Sequence, residues 1–344
     1  MSTPRTPAAF AHSRGYLDTA SYGLPSWETA RALRRAAGTW ETGAFAPEQA
    51  DAAVERLRAA FGALVGVPST SVALAGSTSQ VVGMVAASLP EGARVLVADG
   101  DFGSLVRPFL ADPRLRVRSL PLEALVDAIT PAVDLVAVSA VQSRDGRLID
   151  LEALHEASRR AGARTVVDAT QATPWLPVDA ERFDVVVVSA YKWLNAPRGL
   201  ALAAIHPDAT WLRPVYASWY GSDSPWENLY APLGLSHGAR RFDSSPPWQL
   251  CEAGALALEF HARQDSRQVH DHCVGLADAF CEEVGLAPTG SAIVTLAAEA
   301  DRLRAAGVRA SERAGRVRLS FHVYNDEVDV QRAATALRPV VAAA

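Results

Sequence analysis

Five short runs of aliphatic residues punctuate the first two thirds of the chain: ARVLVAD, VDLVAVSAV, RTVVDAT, DVVVVSA and GLALAAI. Each is nearly continuous in apolar character rather than alternating, which suits strands buried on both faces. Around them the period changes. Residues 47–64, PEQADAAVERLRAAFGAL, space their apolar positions by three and four, as an amphipathic helix requires. A second helical stretch runs from about Trp27 to Trp40. DLEALHEASRRAGA sets Asp150 near a helix start and Gly162 near its end. In ALAGSTSQVVGMVAASL, a Gly-Ser-Thr-Ser turn opens onto another helix-like run. Strands alternating with helices predict an α/β domain with a largely parallel sheet.

The pattern changes after the fifth run. Residues 207–248 hold Trp211, Trp219, Trp226 and Trp248, with Tyr216, Tyr220 and Tyr230, among Pro, Gly and Ser. They read as an ordered, aromatic-rich connection. A second region follows from about Gln249, opening with the helix-like CEAGALALEFHARQ. In RVRLSFHVY, Arg316, Arg318, Ser320 and His322 share one face and Val317, Leu319, Phe321 and Val323 the other. That alternation predicts a half-buried strand with a polar face, and a last helix is expected over 326–338. The expected organisation is an N-terminal segment over 1–25, a large domain over 26–248 and a smaller C-terminal α+β domain over 249–344.

Composition narrows the function. The chain has 344 residues, 49% hydrophobic and 21% charged, with a net charge of -5. No general basic field exists for nucleic acid, and no apolar run is long enough to cross a bilayer. The start, MSTPRTPAAFAHSRGY, lacks the apolar stretch of a signal peptide, so a cytoplasmic location is expected. Cys251, Cys273 and Cys281 form no CxxC pair and read as free thiols rather than zinc ligands; no metal site is expected.

One residue stands out against that composition. Lys192, in VVVVSAYKWL, is the only lysine; every other residue in the Lys+Arg total of 33 is arginine. Arginine cannot lose its proton in a protein, whereas lysine can become a neutral amine nucleophile. Its common use is a Schiff base with a carbonyl or with pyridoxal phosphate. The end of a buried strand is also where open α/β sheets place their sites. A chance surface lysine is the alternative. Three further features suit a pyridoxal site. Asp168 ends the run RTVVD and could face a ring nitrogen, although strand-end acids also cap helices. Gly76, Ser77, Thr78 and Ser79 lead into a helix whose free N–H groups favour an anion, or simply cap it. Arg316 and Arg318 lie on one strand face, and either fork could clamp a carboxylate, or face solvent.

DATQATPWLPVD followed by FDVVVVSAYKW resembles the Asp-x-x-Gln and Ser-x-His-Lys blocks of the class V aminotransferase family, enzymes of fold type I that use pyridoxal phosphate. The resemblance runs from YLDTASYGLP to VRLSFHVYN. It implies that Lys192 holds the cofactor aldehyde, that Asp168 pairs with the ring nitrogen and that Gln171 approaches the ring oxygen. Ser77, Thr78 and Ser189 would bind phosphate, Phe102 in GDFGSLVRPF would stack on the ring, and Ser143 would sit near the cofactor. Arg318 would hold the substrate carboxylate, with Ala20 and Tyr22 beside the substrate. Tyr191 stands where histidine usually precedes the lysine, and could still donate to phosphate. Trp175 replaces a histidine common in desulfurases. The stretch between Leu303 and Arg318 has no cysteine, which disfavours persulfide chemistry.

SAVQSRDGRL, YKWLNAPRG, SWYGSDSPWENLY and ARRFDSSPPW are similar to the carbon–sulfur lyases of ergothioneine biosynthesis, which split hercynylcysteine sulfoxide. That likeness implies β-elimination releasing a sulfur-bearing product, pyruvate and ammonia. Trp219, Tyr220 and Trp226 would then face the trimethylammonium group, or pack together beneath a long loop. Tyr22 or Tyr191 would assist the leaving group. His237, His261 and His322 read as structural or surface residues. Relatives are homodimers with shared active sites, so Ser245 would approach the partner's cofactor phosphate. An aminotransferase, a kynureninase-like or epimerase-like enzyme, and a non-catalytic binding or scaffold relative are the rival readings.

Overall fold

The structure is a computed structural model that describes residues 9–227, 229–230 and 234–341; residues 1–8 of the N-terminal segment lie outside it. Seven strands form the main sheet: β1 (Val72–Ala75), β2 (Arg94–Ala98), β3 (Arg116–Leu120), β4 (Leu135–Ser139), β5 (Arg164–Asp168), β6 (Val185–Ser189) and β7 (Ala201–Ile205). Their order is β1-β7-β6-β5-β4-β2-β3. Strands β3, β2, β4, β5 and β6 pair in parallel, while β7 runs antiparallel to both β6 and β1. The five apolar runs became β2, β4, β5, β6 and β7. β1 and β3 had not been anticipated: β1 is only four residues long, and β3, RVRSL, is an exposed edge strand.

Helices explain why the strand runs are continuous rather than alternating. The helices before and within this sheet are α1 (Trp27–Glu41), α2 (Pro47–Val65), α3 (Thr78–Ser88), α4 (Gly103–Leu110), α5 (Leu122–Leu125) and α6 (Leu151–Ala161). One core packs Leu96, Val138, Val167 and Val188 of the sheet against Leu57 and Phe61 of α2 and Leu154 of α6. The other packs Val95, Ala137, Val166 and Val187 against Val82 and Val85 of α3 and Phe109 of α4. Successive strand residues point to opposite faces, and both faces are covered, so the interior positions of β2, β4, β5, β6 and β7 are almost all apolar.

The remaining helices are α7 (Trp248–Ala262), α8 (Ser266–Glu283), α9 (Ala300–Ala305) and α10 (Glu327–Val341). A small antiparallel sheet, ordered β8-β10-β9, joins β8 (Ile293–Leu296), β9 (Ser311–Arg313) and β10 (Arg316–Ser320). Its core gathers Phe280, Leu303, Leu319, Phe321, Val330 and Leu337, together with Leu17 from the N-terminal segment. A large, mainly parallel domain with a smaller α+β unit is the fold expected of type I pyridoxal enzymes.

The division between cores does not fall at residue 249. Helix α7 packs on α1 and α2, burying Cys251, Ala255 and Leu258 in the large domain's core. Gly254 favours that approach, since a Cβ there would lie 3.2 Å from Leu57 Cδ2 of α2 and 2.5 Å from Leu200 Cδ1. Helix α8 belongs to both units: Val269, Cys273 and Val274 join the large core and Leu276, Ala277 and Phe280 the small one. The polar face of β10 also departs from expectation. Arg318 and Ser320 are buried rather than solvated, because the N-terminal segment and the loop after β4 cover them. Ser320 Oγ donates to Leu17 O (3.1 Å) and accepts from Ala20 N (3.0 Å).

A buried ion pair ties the sheet edge to its surroundings. Arg58 of α2 donates to Asp243 and to Val72 O, and Asp243 Oδ1 accepts from Leu74 N at 2.8 Å. Both side chains are buried. Asp243→Ala removes the buried partner of Arg58 and leaves it the exposed Glu55, 3.4 Å from its Nε, which is expected to cost about 3 kcal/mol; urea unfolding measures it.

Candidate active site

Parallel strands bring their C-terminal ends to one edge of the sheet, and loops leaving that edge converge there. β4, β5 and β6 end at Ser139, Asp168 and Ser189, β1 runs into Ser77 and α3, and Phe102 stands at the start of α4. Together they enclose a cavity of about 140 Å³. Ten of the residues singled out in the sequence line it: Gly76, Ser77, Thr78, Phe102, Ser143, Asp168, Gln171, Ser189, Tyr191 and Lys192.

Lys192 is buried, donates no hydrogen bond among the described residues, and holds Nζ 4.9 Å from the centre of the Phe102 ring. Burial lowers its pKa to about 8; Arg318, Arg313 and Arg198 push the same way, against the attraction of Asp168. The Asp168 carboxyl is raised by burial, although Thr170 N–H donates to its Oδ1 at 2.9 Å. Where α3 begins, the Thr78 and Ser189 hydroxyls lie 2.8 Å apart, and Ser77 caps the helix. Gln171 is held on three sides. Its Oε1 accepts from Trp193 Nε1 (2.7 Å), and its Nε2 donates to Ala20 O (2.9 Å) and Ser143 Oγ (3.0 Å).

The loop carrying the lysine is fastened from both sides. Gly23 N donates to Tyr191 O at 2.9 Å, and a Cβ at position 23 would sit 1.8 Å from Lys192 O, so only glycine fits. His322 Nε2 lies 2.8 Å from Trp193 O, while Val323 N donates to its Nδ1 at 2.8 Å. The first contact places the ring proton on Nε2, and the second leaves no room for one on Nδ1. The imidazole is therefore neutral, and burial lowers its pKa to about 4.

Other anticipated residues lie elsewhere. Arg318 does not line the cavity but reaches Ser143, which does: its Nη1 donates to Ser143 O and to Ser143 Oγ (3.1 Å). Burial lowers its pKa to about 10, so it remains a cation at neutral pH. Arg316, its rival, is exposed and donates to Thr295 O. Ala20 is buried behind Gln171, and Tyr22 packs its ring 5.3 Å from that of Tyr191 at the rim. Trp219, Tyr220 and Trp226 are not in the cavity. They stack with Trp248 around Asp51, which accepts from Tyr220 and from the indoles of Trp226 and Trp248 (both 3.2 Å). The carboxylate satisfies donors from buried Tyr220 and half-buried Trp226 and Trp248, and Tyr220, Trp219 and Trp248 join the large domain's core. Ser245 is exposed and away from the cavity. The sequence reading missed Arg198, whose guanidinium lies 5.0 Å over the Tyr191 ring, and the polar lining residues Ser104, Ser139 and Thr170. Arg198 carried a signal, six residues past the lysine; the serines and threonine did not.

The model of the family Aminotransferase class-V matches residues 36–285. The chain is 28% identical over 312 residues to the uncharacterized aminotransferase YcbU of Bacillus subtilis, covering 81% of each. It is 29% identical over 261 residues to a kynureninase of Deinococcus radiodurans, covering 70% of this chain and 62% of the relative. A solved structure of the cystine C-S lyase C-DES with its product cysteine persulfide superposes with a TM-score of 0.85 at 18% identity, covering 95% of this chain and 98% of the other.

Pyridoxal phosphate is the cofactor, and the cavity's chemistry suits it. A deprotonable amine, an acid for the ring nitrogen, a flat ring and a hydroxyl-rich helix N-terminus match its aldehyde, pyridine, face and phosphate. Lys192→Arg keeps a cation but no nucleophilic amine. Borohydride treatment and peptide mapping are expected to label residue 192 in the unsubstituted protein and nothing at that position in the variant. The His322 ring has a folded-state pKa below its ordinary 6.5, so its contribution is full above 6.5 and is lost as pH falls towards about 4. Unfolding free energy is expected to drop across that window, and less so in His322→Gln.

Proposed function

This chain belongs to the class V aminotransferase family, and from that premise we propose that it is a carbon–sulfur lyase. It would eliminate a sulfur group from Cβ of a cysteine conjugate or sulfoxide of the hercynylcysteine sulfoxide kind. The observation that carries this reading is a deprotonable lysine in a cavity whose described lining holds no cysteine. All three cysteines are buried elsewhere, and burial pushes Cys251 up to about 12 and Cys281 up to about 11. Sulfur removal by thiolate attack therefore lacks its nucleophile. Elimination needs only a base at Cα and a leaving group at Cβ.

When bound, pyridoxal phosphate supplies an electron-withdrawing ring that stabilises negative charge at the substrate Cα. Asp168 would hold the proton on the ring nitrogen, and Ser77, Thr78, Ser189 and Tyr191 would anchor the phosphate. Phe102 would cover one face of the ring and exclude water from it. Lys192, neutral above about pH 8, takes the Cα proton. The Cβ–S bond breaks with its electron pair leaving on sulfur. The released 2-aminoacrylate takes up water and yields pyruvate and ammonia. Arg318 would orient the substrate through its carboxylate.

Holoenzyme incubated with hercynylcysteine sulfoxide or S-methylcysteine sulfoxide is expected to release pyruvate, read by mass spectrometry, with no keto acid added. Accumulation of pyridoxamine phosphate and dependence on a keto-acid acceptor would replace this reading with transamination. The rate should rise with pH to a plateau above about 8, following Lys192.

A further inference from the structure

We propose that Arg313 shares with Arg318 the acid group of an amino-acid substrate, which displaces the hydroxyl of Ser21. The inference deepens the proposed function and rests on its assignment of Arg318 to the substrate carboxylate.

Arg318 is only half used by the protein. Its Nη1 is satisfied by Ser143, its Nη2 donates to Ser21 Oγ at 2.8 Å, and its buried Nε has no partner among the described residues. The Nε and Nη2 protons point the same way along one edge of the guanidinium, and that edge matches the two oxygens of a carboxylate. That edge is therefore only partly used: Nη2 rests on a serine, and the buried Nε–H has no partner among the described residues.

The same serine oxygen holds a second guanidinium. Arg313, on β9, donates from Nη2 to Ser21 Oγ at 2.9 Å. Antiparallel pairing of β9 with β10, in which Ser311 faces Arg318 across the ladder, brings the two arginines to one spot. A hydroxyl has two lone pairs and accepts both bonds, but it carries no charge to offset two cations. Among the described residues no carboxylate lies within ion-pair distance of either arginine. Asp18 attracts Arg318, yet its nearest cation is Arg309 at 4.0 Å. Both positive charges are felt at Lys192, so the pair stands on the amine's side of the fold. A carboxylate with one oxygen in the place of Ser21 Oγ would accept the same two bonds with opposite charge. Its other oxygen would take the idle Nε–H of Arg318.

The test uses holoenzyme and α-aminoisobutyrate, which lacks a Cα proton and so is neither eliminated nor transaminated, beside its carboxamide. Binding of each is measured by titration calorimetry. Arg313→Gln is expected to weaken α-aminoisobutyrate about 10-fold and to leave the carboxamide unchanged, with Arg313→Lys in between. Ser21→Ala is expected to keep the preference for the carboxylate, since the acid replaces that hydroxyl. Unchanged binding of both compounds in Arg313→Gln, or equal loss of both, would overturn the proposal; equal loss is the mark of a merely structural role. Equal binding of the two by the unsubstituted enzyme would remove the Arg318 assignment on which it stands. Loss of carboxylate preference in Arg313→Gln, with no pyruvate from any cysteine conjugate, would leave the clamp standing and sink only the lyase reading.

Discussion

Burying a lysine amine among arginines costs free energy unless the amine gives up its proton. That constraint organises the site. Lys192 lies at the closed end of a loop, out of water, with three guanidinium groups pushing its pKa down and one carboxylate, Asp168, pulling it back. The balance leaves the amine deprotonable near neutral pH. A charged lysine at this depth would need a counter-ion of its own, and the attraction it feels comes chiefly from Asp168.

Holding that balance is a task for the fold rather than for the residues in contact with the amine. The lysine loop is pinned by backbone contacts from two directions. Gly23 reaches it from the N-terminal segment and His322 from the end of the small sheet. Gln171 is fixed by Trp193, Ala20 and Ser143, so both its amide atoms are already committed within the protein. Three stretches far apart in the chain therefore meet around one side chain. This explains why the polar face of β10, which would be wetted in an isolated hairpin, is buried here: Arg318, Ser320 and His322 face the lysine loop and the N-terminal segment instead of solvent.

The positive excess beside the site has a related cause. Among the described residues Arg318 and Arg313 have no carboxylate within ion-pair distance and share a serine oxygen, whereas arginines such as Arg94 and Arg56 pair at the surface with Asp134 and Glu259. A protein rich in arginine can afford many such pairs; leaving two cations unpaired beside a buried amine makes the site complementary to an anion.

Much of this was legible beforehand, and the boundary is physical. Continuous apolar runs reported buried strands because both sheet faces are covered, and a strand-end lysine, a strand-end aspartate and a serine-rich helix start are local signals that survive translation into space. Those signals pointed to an α/β sheet and to a pyridoxal site around Lys192, Asp168 and the Ser77–Thr78 turn; the type I fold and the places of Gln171, Phe102, Ser143, Ser189 and Tyr191 came from the family resemblance. Contacts between distant segments had no such signal. Trp219, Tyr220 and Trp226 read either as a cation cage or as rings packed beneath a loop, and nothing in the spacing pointed to Asp51, more than 150 positions away, which accepts from Tyr220 and Trp226. Arg316 and Arg318 were equivalent by alternation until the loop after β4 buried one of them. Helix α7 looked like the start of a new domain, yet it packs on α1 and α2. Residue type and spacing determined which chemistry was on hand. Which groups lost their water, and which charges were left facing each other, depended on tertiary packing, because desolvation and charge pairing are properties of distances that sequence separation does not encode.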